Sequence, residues 1–286
     1  MEPLTPVSTI LIKRHDNYSG ARGFKRNPLR AIERIDTRVL TPMHRTVMLW
    51  IARFYFLIRY RFHMGRFSSI ESGPFMGMML CAKGSWGGHK ARLLGTYEKE
   101  IAHIVSTLEQ WDINHVIDVG CADGYYSCGF AYRYPNLSVS AYDISTLARC
   151  CTYFAARANK VNHRLRVCER FDVNELVATN EERILLFLDC EGCESHIITD
   201  SSLTLLRNVA ILVECHEMYV DGVTERIKKA LIETHTLDEI HTANRTIEDA
   251  PCGLHLRPNV LVEMDECREG DQTWIWAVPK KWVKSD

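Results

Sequence analysis

The stretch that most constrains this chain is Val116–Tyr126, Val-Ile-Asp-Val-Gly-Cys-Ala-Asp-Gly-Tyr-Tyr. An apolar run closes on Asp118. A turn spaced by Gly120 and Gly124 follows, and a helix-like segment begins at Tyr125. A strand, a glycine turn and a helix in that order let backbone N–H groups approach a nucleotide-like ligand closely.

The chain beyond this unit repeats the alternation. Strands are expected at 116–119, 138–142, 165–168, 184–188, 209–213, 237–241 and 273–278. Helices are expected over 125–134, 145–160 with Ser145 as cap, 171–178, 195–206, 223–234 and about 256–267. Asp238 and Glu239 weaken the sixth strand. Upstream, Thr96 is placed to cap a helix running to about Gln110, with Glu98 in its first turn. Residues 73–80 read as a turn and short strand, and 84–88 as a loop. Strands alternating with helices imply an α/β protein whose parallel sheet is covered on both faces.

A chain of 286 residues has room for one large α/β domain plus an extension, or for two small domains. Apolar residues make up 46% and charged residues 25%, as in ordinary globular proteins. Net charge is −1 but unevenly spread. Residues 1–95 hold 16 Lys+Arg against 5 Asp+Glu, a net +11, so the remainder carries a net −12. The basic arm either meets a phosphate-rich surface or packs on the acidic body. Nucleic acid is disfavoured as a partner, because the arm shows no known RNA-binding pattern. Residues 44–66 are rich in aromatic and aliphatic side chains, with Arg53, Arg59, Arg61 and Arg66 among them. The uncharged stretch is too short for a membrane span. The segment suits packing on the body, on a partner protein or second copy, lying in a membrane interface, or forming a basic substrate-binding face. The eleven cysteines, with no signal peptide ahead of them, are expected to be reduced thiols of a cytoplasmic protein. Cys190-x-x-Cys193 has the spacing of half a zinc site, with no second pair to complete it.

The glycine turn lacks the G-x-G-x-x-G pattern of a dinucleotide fold, because Ala122 and Tyr125 stand where glycines are required. The pattern Asp118-x-Gly120-x-Ala122-x-Gly124 resembles motif I of class I S-adenosylmethionine (SAM)-dependent methyltransferases. A second block, Leu185-Leu-Phe-Leu-Asp-Cys-Glu-Gly-Cys-Glu194, is followed by Val213-Glu-Cys-His-Glu217. Together with Gly73-Pro-Phe, Leu94-Gly-Thr-Tyr-Glu98 and Trp274–Pro279, these resemble the FkbM-like branch of that superfamily. The resemblance runs from about Gly73 to the C-terminus. It implies a Rossmann-like, seven-stranded, mostly parallel sheet whose last strand is antiparallel. Residues 96–286 would form the methyltransferase domain, and residues 1–95 a basic, partly helical extension or lid.

The resemblance also implies a cofactor site. Asp118, Gly120, Cys121, Ala122, Gly124 and Tyr125 would hold the methionine part of SAM. Asp143, followed by Ile144, would bind the ribose hydroxyls, and Asp172 the adenine amino group. Tyr97 and Glu98 lie in a segment that folds over SAM in related enzymes.

Strand residues two apart share a face. Asp189 and Glu191 therefore point together if the fourth strand runs on, as do Glu214 and His216 on the fifth. Their carboxyl ends should lie beside the cofactor. Two mechanisms remain open. Either His216 or one of the carboxylates accepts the acceptor's hydroxyl proton, or Asp189, Glu191, Glu214 and His216 bind a divalent cation such as Mg²⁺. The alternative to both is a set of acids capping loops and helices. The resemblance implies O-methylation of a small-molecule or glycan acceptor, a sugar or a secondary metabolite; the alternatives are a nucleic-acid methyltransferase whose basic arm grips phosphates, and a SAM-binding subunit without chemistry of its own that serves a partner.

Overall fold

The computed structural model describes residues 67–81, 87–178, 183–253, 258–266, 268, 270 and 272–283, all within a compact unit that begins at His63. The expectations for residues 1–66, including the apolar basic segment 44–66, lie outside the described residues.

The unit opens with a small antiparallel pair, β1 (Phe67–Ser69) and β2 (Met79–Cys81), followed by helix α1 (His89–Leu94). The main sheet is built from β3 (His115–Val119), β4 (Ser138–Tyr142), β5 (Leu165–Cys168), β6 (Ile184–Leu188), β7 (Ala210–Cys215), β8 (His235–His241) and β9 (Thr273–Pro279). Its seven strands lie in the order β5-β4-β3-β6-β7-β9-β8. Every pairing is parallel except the two made by β9. This is the Rossmann-like arrangement expected of a class I methyltransferase, with the last strand antiparallel. The chain moves outward from β3 to β5, then returns to β6 on the other side of β3. The reversal opens a crevice at the carboxyl ends of β3 and β6, where ligands of open α/β sheets bind.

Side-chain alternation divides the core between the two faces. Val116, Leu185, Phe187, Leu212, Trp274 and Trp276 face one layer, with Phe75, Tyr126 and Phe130. Ile117, Val119, Leu186, Leu188, Ile211 and Val213 face the other, with Ile198, Val223 and Ile227. The central strands are buried throughout, so they read as unbroken apolar runs. Edge strand β8 begins at His235, two residues before its expected start, and exposes Asp238 and Glu239. Charges there blunt an edge that could otherwise recruit another strand. His115 and His235 are satisfied core residues. His115 sits between the hydroxyls of Ser138 (2.6 Å) and Ser140 (3.2 Å), and burial holds its pKa down to about 4.

Several helices depart from expectation. The helix expected to open at Thr96 is replaced by α1, which stops at Gly95 in the left-handed region, φ +80°. Thr96 caps nothing, and its hydroxyl lies 3.4 Å from Ala91 O. Glu98 is itself left-handed, φ +46°, ahead of a short 3-10 turn (Lys99–Ile101) and helix α2 (Ala102–Val105). Helices α3 (Tyr125–Arg133) and α4 (Thr146–Ala158) form as expected, with Ser145 capping α4 through Ala148 N–H. A short α5 spans Glu175–Ala178. The expected helix at 195–206 is split into α6 (Glu194–Ile197) and α7 (Leu203–Leu206). Ser202 Oγ accepts from Thr199 N–H (2.9 Å) and donates to Ile197 O (2.7 Å), a local alternative to helical bonding. Helix α8 covers Val223–Leu231, and α9 covers only Val260–Met264. Cys190 and Cys193 form a disulfide, which corrects the expectation of reduced thiols at this pair and leaves no half zinc site. Among the described residues no helix is long and apolar enough to cross a membrane.

Candidate active site

The turn after β3 depends on a glycine. Gly120 has φ +100°, and a Cβ there would fall 1.7 Å from the Asp189 carbonyl oxygen. Its N–H donates to Tyr142 O at 2.8 Å, which ties the turn to β4. Ala122, also left-handed at φ +46°, donates its N–H to Asp143 Oδ2 at 3.1 Å. The other Asp143 oxygen accepts from Ser145 N–H at 2.7 Å. One carboxylate at the end of β4 thus joins the glycine turn to the start of α4. Each of its oxygens keeps a lone pair for a ligand hydroxyl.

A narrow cavity opens here, walled by Tyr97, Asp118, Gly120, Ala122, Tyr125 and Asp189 among others. Asp118 is buried and accepts from Ser127 Oγ, and burial raises its pKa to about 7. Tyr97 and Tyr125 meet edge to face at 5.6 Å. Cys121 also lines the cavity, its thiol 3.4 Å from the Thr152 hydroxyl. Gly124 begins α3 in the left-handed region. Ile144 is 75% exposed beside Asp143. Asp172 is exposed after β5 and accepts from Asn174 N–H at 2.9 Å. Neither Ile144 nor Asp172 walls the cavity. A wider depression, walled by Leu176, Arg183, Leu205 and Trp282, lies at the amino ends of β6 and β7 and holds none of these groups.

Glu98 is buried against the same cavity wall. It accepts from Tyr126 Oη and pairs with Arg268 at 3.0 Å. Burial raises its pKa to about 8 against the opposing pull of Arg268. Arg268 is the hub of this wall, because it also reaches Glu214 (3.0 Å) and Glu266 (2.6 Å).

The second group forms where β6 and β7 end side by side. His216 is 2% exposed, and its Nδ1 lies 2.7 Å from Glu194 Oε1. Its Nε2 faces Glu214 (3.5 Å), Asp189 (3.7 Å) and Glu191 (3.8 Å). Burial alone would lower the pKa of His216. The bond to Glu194 and the surrounding carboxylates outweigh burial and raise it to about 9. Burial, with Asp189 and Glu98 nearby, pushes Glu214 well above the usual carboxylate range. His216 is therefore an imidazolium at neutral pH, and Glu214 is driven toward its neutral form. Asp189, with 23% of its side chain exposed, is the carboxylate shared by the cavity and the cluster.

The four residues expected to converge do so, though not as a continued strand would place them. β6 ends at Leu188, and Glu191 is reached through a left-handed turn, φ +57°, with its side chain 53% exposed. Ligand atoms of Asp189, Glu214 and His216 lie within 4.8 Å of one another, a set that could hold a metal ion, and Glu191 stands outside it. Arg92, Asp123, Tyr126, Glu194, Glu266 and Arg268 were not among the sequence candidates. Arg268 has no signal in the sequence, because it reaches the site only through tertiary folding.

No family model and no curated protein matches the chain. Solved structures with a similar backbone include a SAM-dependent O-methyltransferase from Thermotoga maritima, at 12% identity over 66% of this chain and 67% of that one, TM-score 0.40. The O-methyltransferase TomG from Streptomyces achromogenes, in complex with SAM, is similar at 12% identity over 65% and 81%, TM-score 0.43. An O-methyltransferase from Bacillus cereus, in complex with SAH, is similar at 11% identity over 67% and 80%, TM-score 0.40.

Proposed function

We propose that the chain transfers the methyl group of SAM to a hydroxyl oxygen of a small molecule or glycan, as an FkbM-like member of the class I methyltransferases. The observation that carries this reading is the meeting of the glycine turn and Asp189 in one cavity, with Asp143 bonded to that turn. The residues fit such a ligand. Gly120 leaves open backbone where any side chain would collide, and Asp143 offers two oxygens to paired hydroxyls.

SAM supplies an electrophilic methyl group on a sulfonium. The chain's own residues do the rest. Asp143 and the glycine turn orient the nucleoside, and Tyr97 and Tyr125 close the cavity wall. Asp189 accepts the acceptor's hydroxyl proton as the acceptor oxygen bonds to the methyl carbon and the carbon–sulfur bond breaks. His216, held by Glu194, lies 3.7 Å from Asp189 and fixes where that carboxylate faces the acceptor. An imidazolium cannot itself be the base, so the task falls to the carboxylate.

One observation favours a second reading. Glu194 fixes Nδ1 of His216, the outer support a metal-bound imidazole usually has, and leaves Nε2 facing three carboxylates, of which Asp189 and Glu214 group with it. A divalent cation such as Mg²⁺ would be held by Asp189, Glu214 and His216 and would lower the acceptor's pKa.

The test measures transfer of labelled methyl from SAM to a panel of glycans and hydroxylated metabolites. Asp189→Asn should lower kcat by about 100-fold or more, as loss of a general base does, while SAH still binds. Full activity in Asp189→Asn overturns the assignment. Loss of wild-type activity in EDTA, restored by Mg²⁺, selects the second reading.

A further inference from the structure

The acidic loop after β6 is closed by a bond that the proposed chemistry does not use. Cys190 and Cys193 form a disulfide within the run Asp189-Cys-Glu-Gly-Cys-Glu194, so the bridge is interleaved with three of the carboxylates around His216. A cross-link between residues three apart removes little chain entropy from the unfolded state, so its weight falls on this loop rather than on the fold. Both cysteines are half-buried, within reach of a small thiol reagent, whereas Cys121 and Cys215 nearby are buried thiols. The bridge spans a tight reversal in which Glu191 and Gly192 are both left-handed, φ +57° and +101°. Glu191 is not a glycine, and its backbone would relax out of that region without a constraint.

The loop touches both halves of the site. A Cβ on Gly120 would meet Asp189 O at 1.7 Å and Cys190 Cα at 3.2 Å, so the glycine turn rests on the bridged backbone. Cys190 N–H donates to Glu194 Oε1 at 3.3 Å, the oxygen that also holds His216 Nδ1. A Cβ on Gly192 would lie 3.2 Å from Tyr219 Cβ, and the Tyr219 ring stacks on His216 with centroids 5.8 Å apart. We propose that the Cys190–Cys193 disulfide is a site of thiol–disulfide exchange with a dithiol reductant, and that opening it loosens the loop and weakens cofactor binding. One thiolate of the dithiol attacks a bridge sulfur, the sulfur–sulfur bond breaks, and the released cysteine thiolate takes up a proton. The second thiolate of the dithiol then displaces the attacked cysteine, which leaves as a thiolate and is protonated in turn. The reductant ends as a cyclic disulfide, and two electrons and two protons pass to the protein. The effect on the cofactor rests on the SAM reading above, while the exchange itself does not.

Dithiothreitol is the probe, and the full chain is used throughout. Peptide mass spectrometry after acid quench and alkylation should show Cys190 and Cys193 reduced together while thermal unfolding still reports a folded protein. Hydrogen exchange over 189–194 should rise about tenfold or more on reduction, as where a local constraint is removed, and reoxidation should restore it. An opened loop that holds the closed arrangement about a tenth of the time binds SAH about tenfold more weakly. Calorimetry of the oxidised and reduced protein should show that loss. The Cys190→Ser/Cys193→Ser double variant should match the reduced protein and show no further response to dithiothreitol, which separates the bridge from the other cysteines. A bridge that is reduced only when the unit unfolds overturns the proposal. So does equal exchange over 189–194 in the two states, equal SAH affinity in the two states, or a double variant whose SAH affinity still falls with dithiothreitol. A protein that binds SAH in neither state overturns the cofactor reading instead, and exchange over 189–194 then decides the bridge alone.

Discussion

His216 carries the electrostatics of the proposed mechanism. A histidine buried this deeply would ordinarily lose its proton. Here the bond to Glu194 and the nearby carboxylates reverse that tendency and hold its pKa at about 9. Because the folded value lies above the unfolded one, the charged imidazole contributes stability that is fully present below about pH 6.5. That contribution is lost as pH rises through about 9. A proton NMR titration of the imidazole resonances should show His216 protonated at pH 7.5. Glu194→Gln should move its titration down toward the ordinary histidine value, because the strongest stabilising bond is then gone. An unshifted titration in that variant contradicts the role given to Glu194. At this scale the sequence was partly legible. Glu214 lies near the end of β7 and His216 just past it, two residues on, so their shared position could be read directly. Glu194 belongs to the acidic block, but its contact with His216 spans 22 residues and leaves no local signal. Arg268 was invisible, as isolated charges near the C-terminus are usually solvated.

Elements held their type better than their lengths. The central strands were legible because both faces are covered and their apolar runs are unbroken. Helix boundaries were less so, because Gly95 and the Thr199–Ser202 turn interrupt stretches whose composition alone reads as helical. One close approach between elements has a measurable consequence. Gly129 lies in α3 beneath Phe75, and a Cβ there would fall 2.5 Å from the Phe75 ring. Phe75 is buried and meets Tyr125, Tyr126 and Phe130 edge to face, so the ring has little room to retreat. Gly129→Ala should therefore destabilise the unit by about 1–3 kcal/mol, the usual cost of overpacking, despite alanine's better helix propensity. Thermal or urea unfolding measures this. An equally stable or more stable Gly129→Ala protein contradicts the packing described.

On the scale of the whole molecule, strand order places the chemistry. The chain reverses direction across the sheet at β3, which brings the ends of β3 and β6 together and lets Asp189 serve both the cavity and the acid–imidazole cluster. This much followed from the alternation of strands and helices together with the glycine turn. The acceptor did not, because recognition of a hydroxyl compound leaves no periodic signal in a chain. The closing wall did not either, since it pairs Glu98 with Arg268 across 170 residues. The crevice at this reversal is the proposed SAM site, with Asp143 on the ribose. Calorimetry of SAH binding to the wild-type protein and to Asp143→Ala tests it most directly. The wild type should bind in the micromolar range or tighter, and Asp143→Ala should lose about 1.5–3 kcal/mol as its charge-assisted hydrogen bonds disappear. An absence of SAH binding to the wild type, or unchanged affinity in Asp143→Ala, would contradict it.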